Sequence, residues 1–573
     1  MGNLKDKISN SLELQASVEP LLQQYVFQEL SSENPFLRAR ACWLYGKFGS
    51  MPACFSSPTG QEHLKHVLNG IYDNLNHSEL PVRVESALAL HKLLCHELSV
   101  SFLRPGLEML LKTYLKIMDD IDFDELVEAL KTLVDVYREE IAPYAVSLCS
   151  KLSEAYLRLI AQKGSGDEED NETLLTADGL MTAIKRVLNS ISGEYKHLYP
   201  ELEQILEKPI EVTFTEAGSS SIEDGITCLA ELLYNQDAIS PRMWKFFFTI
   251  VDLYVNDRGL IDEFIYQASV PLINYMQKDP EQFRNAQFEG FGSCMDMMFN
   301  LIGKIFQNAR DKECEIEAIC AVTLIIQMLE SLQGIEDSLH NIIEYLVKEL
   351  MTAQTPDYKC MLAQGINMCL WYSTPHTLQS LEKLGCTGNF LGLVFQLAEQ
   401  TVKQDFEIKR FVIGLSSIVQ RDPNELPQSV QQQMSNIMKV IVFLCQKSIV
   451  VRVKNHEKAE QCEEDNVEAR GEIYEDEENP IELISDDEDD EEDEDYDCNE
   501  DLDRDLYDSK LDSLDEVIFC RDIFAAMEQQ NPQLYQYYFL QCLDGNDQGS
   551  FHQAIQKAIE FQQFIQQQQQ VMQ

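Results

Sequence analysis

Apolar residues recur at i, i+3, i+4 and i+7 through almost every segment from Leu12 to about Val453, and Pro, Gly or Asn/Asp clusters interrupt them every ~15 to 25 residues. That spacing lays an apolar stripe along one side of each of a long series of helices, and no period-2 series predicts a strand. Leu37–Phe48 and Val82–Leu93 can be laid over each other at an offset of 45 residues. Each follows a proline, Pro35 or Pro81, a residue that suits the first turn of a helix better than its interior. Their matched apolar or small positions are Leu37, Ala41, Leu44, Tyr45 and Phe48 against Val82, Ser86, Ala89, Leu90 and Leu93.

Further helix pairs are predicted over Asp124–Tyr137 with Ala142–Ile160, Pro241–Val255 with Leu260–Met276, and Cys314–Leu332 with Glu336–Met351. A period of ~40 to 47 residues with two helices per unit is the HEAT or armadillo pattern, in which each hairpin buries its apolar face only by stacking on its neighbours. The fold expected is all-α, an α-solenoid of about ten HEAT/armadillo-like hairpins over residues 1–455. An acidic loop at 163–173 interrupts it. An acidic, disordered linker over 456–513 follows, then C-terminal helices over 514–565 and a Gln-rich tail over 566–573. Amphipathic stretches at Leu514–Met527 and Pro532–Leu543, with Phe519, Ile523, Phe524, Tyr535, Tyr538 and Phe539 as anchors, predict docking on the scaffold or on a partner.

Charge changes the picture most. The 573-residue chain carries a formal net charge of −52, and Glu463–Glu516 holds 29 Asp/Glu against Arg470, Arg504 and Lys510. Its centre is Asp486, Asp487, Glu488, Asp489, Asp490, Glu491, Glu492, Asp493, Glu494 and Asp495 in unbroken succession. Neighbouring carboxylates ~3.4 Å apart lie well inside the ~8 Å screening length, so they repel and favour an open, solvated segment. Such a polyanion is suited to Lys/Arg-rich proteins and argues against a surface for nucleic acid or anionic lipid. A smaller cluster, Asp167, Glu168, Glu169 and Asp170, reads as a solvated connection and a secondary acidic site. Ser485, followed by Asp486 and Asp487, lies in a context favoured by acidophilic kinases, where phosphate would only tune a large existing charge.

Sixteen cysteines without a CxxC pair read as small buried hydrophobes in a reducing compartment rather than a disulfide framework. The most apolar runs, Cys320–Ile326 and Val440–Cys445, fall short of the ~20 residues needed to span a bilayer. With no signal peptide and a poor myristoylation context at Gly2, where Asp6 stands in place of Ser or Thr, the expectation is a soluble intracellular protein. No phosphate loop, dinucleotide fingerprint or nucleophile elbow is present, and Gly290–Cys294 has no partner that would make it reactive. His63, His66, His77, His91 and His96 gather with Cys95, but only His91 and Cys95 share a helix face, so no metal site is expected. The reading is not an enzyme, with no catalytic residues and no cofactor.

Several motifs resemble one family. Arg38-Ala39-Arg40-Ala41-Cys42-Trp43, Val82–Leu90, Ile239-Ser240-Pro241-Arg242-Met243-Trp244, the loop at Asp167–Asp170, and Asp522-Ile523-Phe524 followed by Asn531-Pro532-Gln533-Leu534-Tyr535 are similar, in order, to segments of the C-terminal half of importin-beta superfamily receptors of the importin-seven and importin-eight class. The resemblance spans nearly the whole chain and implies a nuclear transport receptor that moves between cytoplasm and nucleus through the nuclear envelope. It implies basic cargo proteins such as ribosomal proteins and histones, phenylalanine-glycine nucleoporins, and the GTPase Ran, whose main contact in the family lies in an N-terminal block of repeats that this sequence lacks. Importin-beta is a further partner it suggests. Neither direct nucleic-acid binding nor membrane insertion follows from it. The alternative is a HEAT-repeat scaffold or acidic chaperone for basic proteins without pore transport.

Overall fold

The computed structural model describes residue 8 and residues 12–572, other than 52–53, 122, 164–170, 192, 257–258, 289–291, 313 and 470–505. The chain is all-α and divides into two units, residues 1–249 with 258–267, and residues 250–257 with 268–573. Among the described residues the extended structure is one antiparallel ladder pairing Gln287 with Ser293 and Phe288 with Gly292, too short to leave an alternating pattern in the sequence.

In the first unit one layer runs α1 (Pro35–Gly49), α2 (Leu80–Leu93), α3 (Asp124–Val136) and, after α4 (Ala145–Lys163) of the opposite layer, α5 (Asn171–Asn189). Each helix of this layer packs on the next, and α5 also packs on α4. The two stretches that superpose at 45 residues are thus neighbours, α1 and α2. Local chemistry starts α1: Pro35 occupies its first turn, and the Asn34 side chain accepts a hydrogen bond from the Phe36 amide. Close approach then depends on Gly46, because a Cβ there would lie 2.9 Å from the Ala89 Cα. Cys42, fully buried, meets the Ser86 hydroxyl at 3.4 Å across the same contact.

The second unit is built from the C-terminal part of α6 (Ile265–Lys278), then α7 (Cys294–Asp311), α8 (Glu315–Ser331), α9 (Leu339–Leu350), α10 (Pro356–Leu384), α11 (Asp405–Val419), α12 (Gln428–Ala469), α13 (Glu516–Gln530) and α14 (Gly545–Met572). In α9 the buried residues Leu339, Ile342, Ile343, Leu346 and Val347 make one stripe. In α8 every residue from Ala318 to Ser331 is buried, because α7 and α10 both pack on it. Ser373 leaves helical geometry (φ −156°, ψ 94°) two residues before Pro375 and kinks α10. Gly414 of α11 lets the helix touch α10, since a Cβ would stand 2.6 Å from the Asn367 carbonyl oxygen.

In α12, the stretch Gln428–His456 is long and apolar enough to cross a bilayer by length and composition. In the fold its apolar side is taken: Val430, Met434, Ile437, Met438, Ile441, Leu444 and Cys445 are buried as the helix packs on α11 and α14. It is a core helix of a helical body.

Candidate functional site: the anchors of the acidic segment

Asp486–Asp495 and Asp167–Asp170 lie outside the described residues, as does Ser485. What the structure does describe is how the chain leaves and rejoins the helical body on either side of the main acidic run. The linker expected over 456–513 differs at both ends. On its N-terminal side α12 continues to Ala469, and on its C-terminal side the chain is described again from Leu506, packed on the second unit.

Residues 506–512 form a strap. Leu506 and Leu511 are buried, whereas Asp508, Lys510 and Asp512 are exposed. Between the two leucines the strap is held largely through its main chain. The Gln277 side-chain amide at the end of α6 accepts from the Asp508 N–H at 3.3 Å and donates to the Asp508 carbonyl, so one side chain reads both polar groups of one residue. Lys409 of α11 donates to the Leu511 carbonyl at 2.8 Å. In the other direction Ser509 donates to Glu330 of α8 at 2.6 Å, and Lys510 donates to the Ser331 carbonyl at 3.4 Å. Burial pushes the Glu330 carboxyl above the ordinary glutamate range, against the lowering influence of Arg410 and of the Ser509 hydroxyl. Gln327 of α8, 1% exposed, accepts from Gln277 at 3.2 Å and so fixes the amide that holds the strap.

A second anchor follows at once. Arg452 of α12 donates to Asp515 at 2.8 Å and to Glu516 at 2.6 Å, and Ser448 adds a hydrogen bond to Glu516, which is 0% exposed. Asp515 is also the N-cap of α13, accepting from the Val517 and Ile518 amides at 3.0 Å each. Burial pushes the Asp515 carboxyl up, but the Arg452 guanidinium and the two amides outweigh it and hold it below the usual aspartate range. Beyond this clamp the C-terminal helices dock on the second unit. Cys520 meets Ser416 of α11 at 3.0 Å, the Tyr538 hydroxyl donates to the Arg421 carbonyl at 2.7 Å, and Phe524, Phe539 and Phe551 form one aromatic cluster.

The two anchors differ in kind. Main-chain and side-chain hydrogen bonds at ~0.5 to 1.5 kcal/mol each, with two buried leucines at ~1.5 to 3 kcal/mol each, hold the strap. Fixing residues 506–512 costs roughly 1 to 2 kcal/mol of backbone entropy per residue, a total of the same order, so strap docking sits near balance. The clamp has no such freedom, because leaving Asp515 and Glu516 buried without Arg452 would cost ~3 to 5 kcal/mol.

The other residues singled out in the sequence have structural surroundings. Ser293 caps α7, its hydroxyl accepting from the Asp296 amide at 3.1 Å, and burial pushes the neighbouring Cys294 thiol up to about 12. His63 lies against the Tyr45 hydroxyl at 3.2 Å, and the His96 ring contacts the Gly49 carbonyl at 2.8 Å. Among the described residues no group of three or more His, Cys, Asp or Glu could hold a metal ion. Sequence reasoning missed Gln277, Glu330 and Lys409 as partners of the linker's C-terminal end, and Arg452 as the partner of Asp515 and Glu516. The signal available was the recurrence of Leu502, Leu506, Leu511 and Leu514 among acidic residues.

No protein-family model matches the chain. An importin beta-like SAD2 homolog of Arabidopsis thaliana is 28% identical over 442 residues, covering 75% of this chain and 41% of that protein. A probable importin-7 homolog of Dictyostelium discoideum is 26% identical over 417 residues, covering 71% and 37%. Importin-8 of Homo sapiens is 22% identical over 490 residues, covering 83% and 45%. The chain therefore spans less than half the length of these curated relatives. Among solved structures, the exportin Cse1 in its cargo-free, cytoplasmic state superposes with a TM-score of 0.57 at 14% identity, over 94% of this chain and 51% of Cse1, so the two share a helical-repeat fold.

Proposed function

We propose that this chain, whose relatives are named importin beta-like, importin-7 and importin-8, is an importin-beta-type karyopherin that carries Lys/Arg-rich cargo between cytoplasm and nucleus by holding it against the second unit with the acidic segment. What supports this reading is the attachment of that segment: residues 470–505 leave from α12 and return at the strap, so both ends of the polyanion are tied to one helical body. A tethered polyanion stays at high effective concentration beside the body, so weak ion pairs of ~0.2 to 1 kcal/mol act together with a shaped surface. Ribosomal proteins and histones have the required charge. Asp486–Asp495 would be the cargo-facing residues, and Asp167–Asp170 a secondary acidic site. The three relatives given above are named importins, and no catalytic role is assigned.

Pore passage needs a second surface. A cleft of about 210 Å³, with Pro375, Leu378, Leu426 and Pro427 on its apolar side and Thr374, Gln379, Arg421 and Glu425 around it, would be the seat for the phenylalanine ring of a phenylalanine-glycine repeat in this reading. Engagement of Ran and importin-beta is part of the same reading.

The test replaces residues 470–505 by a short Gly/Ser linker that leaves both anchors in place. Affinity for a lysine-rich histone peptide should fall at least tenfold at low salt, and its dependence on salt should become shallower. Unchanged affinity and slope would refute the role of the polyanion. Pull-down on phenylalanine-glycine repeats separates transport from an acidic chaperone without pore traffic, since only the former requires retention.

A further inference from the structure

The strap fills its groove incompletely. Glu330, 3% exposed, uses one carboxylate oxygen for Ser509 while Oε1 is buried without a partner, and the Nε of Arg410 is likewise buried without one. A cavity of about 180 Å³ remains between Arg410, Lys409, Phe406 and Gln327 on one side and Tyr507 and Ser509 on the other. Part of the groove's hold falls on the occupant's main chain, beside what the Leu506, Ser509, Lys510 and Leu511 side chains contribute. Gln277 takes both main-chain polar groups of Asp508, and Lys409 takes the Leu511 carbonyl. The bound segment turns at Ser509–Asp512, where the Asp512 amide donates to the Ser509 carbonyl at 3.0 Å and the Asp512 carboxylate accepts from the Ser509 N–H at 2.9 Å, so the groove admits segments that make the same turn.

We propose that the groove between α6, α8 and α11 is a binding site for a short turn-forming peptide segment of a partner protein, and that residues 506–512 are its resident intrachain occupant. The partner carries two leucine-sized side chains five residues apart, as Leu506 and Leu511 are, with a hydrogen-bond donor at the place of Ser509 facing Glu330. When it binds, the strap leaves, and the C-terminal tether of the acidic segment retreats to the Arg452 clamp. This site is separate from the polyanion and stands or falls without the transport reading.

The test uses a fluorescein-labelled peptide with the sequence of residues 504–517. The full chain carrying Leu506→Ser and Leu511→Ser should bind it at least tenfold more tightly than the unaltered chain, in which the strap competes. Gln277→Ala added to that variant should weaken binding at least threefold. A peptide with both leucines replaced by serine, and a lysine-rich peptide of equal length, should stay free. Ser509→Asp, which sets a second carboxylate against Glu330, loosens the strap without touching its apolar anchors and is read in the same way should the double variant fail to fold. A folded loosened variant that does not take up the peptide overturns the proposal, as does equal binding of the serine-substituted or the lysine-rich peptide.

Discussion

The strap and the clamp are consecutive in sequence, share one acidic composition and lie on one unit, yet they attach by opposite physics. The strap buries two leucines and leaves Asp508 and Asp512 exposed, so its hold is a sum of small terms near balance with the entropy of ordering it. The clamp buries Glu516 fully and Asp515 in large part against one guanidinium, so losing that guanidinium is costly. Acidic stretches a few residues apart can therefore be lightly held or firmly fixed, according to the partner the fold supplies.

The largest expected effect breaks the clamp. Arg452→Ala should cost ~3 kcal/mol and free the start of α13, read as a drop in thermal midpoint and faster hydrogen exchange in residues 514–530. Equal stability would mean the clamp and strap do not differ as argued. Acid should do the same reversibly. Because the Asp515 carboxyl is held below its ordinary value in the fold, the stability it contributes is present above the unfolded value of ~3.9 and is lost as pH falls through the lower, folded value. Exchange at residues 516–518 should accelerate below about pH 4 in the unaltered chain, and that added acid sensitivity should be absent in Arg452→Ala.

Smaller effects should stay within the strap. Leu511→Ser should cost about 2 kcal/mol of strap docking and make residues 506–512 open to limited proteolysis, while the global thermal midpoint barely moves. Gln277→Ala should cost ~1 kcal/mol or somewhat more, visible only as faster exchange of the Asp508 amide. If either substitution lowered the global midpoint as much as Arg452→Ala, the strap would be a structural element equal to the clamp.

Much of the fold was legible because helical periodicity is local. The segments Asp124–Tyr137 and Cys314–Leu332 predicted from it correspond to α3 and α8, and the 45-residue offset found two helices that pack side by side. Less of the candidate site was legible. The acidic run could be recognised from composition, but nothing in the sequence pairs Asp508 with Gln277, 231 residues away, or Glu330 with Ser509, 179 residues away. The linker boundary at 513 shows the same limit, since repulsion among carboxylates is visible in composition whereas the groove that accepts Leu506 and Leu511 is not.

By itself the sequence determined that this chain would be helical, built of stacked hairpins and heavily anionic near its C-terminal end, since backbone periodicity and charge density depend on neighbours a few residues apart. Tertiary structure alone decided where the anionic segment is tied down and how firmly. Those outcomes depend on the desolvation of Glu516 and Glu330 and on main-chain bonds from Gln277 and Lys409, which exist only once distant helices have assembled around them.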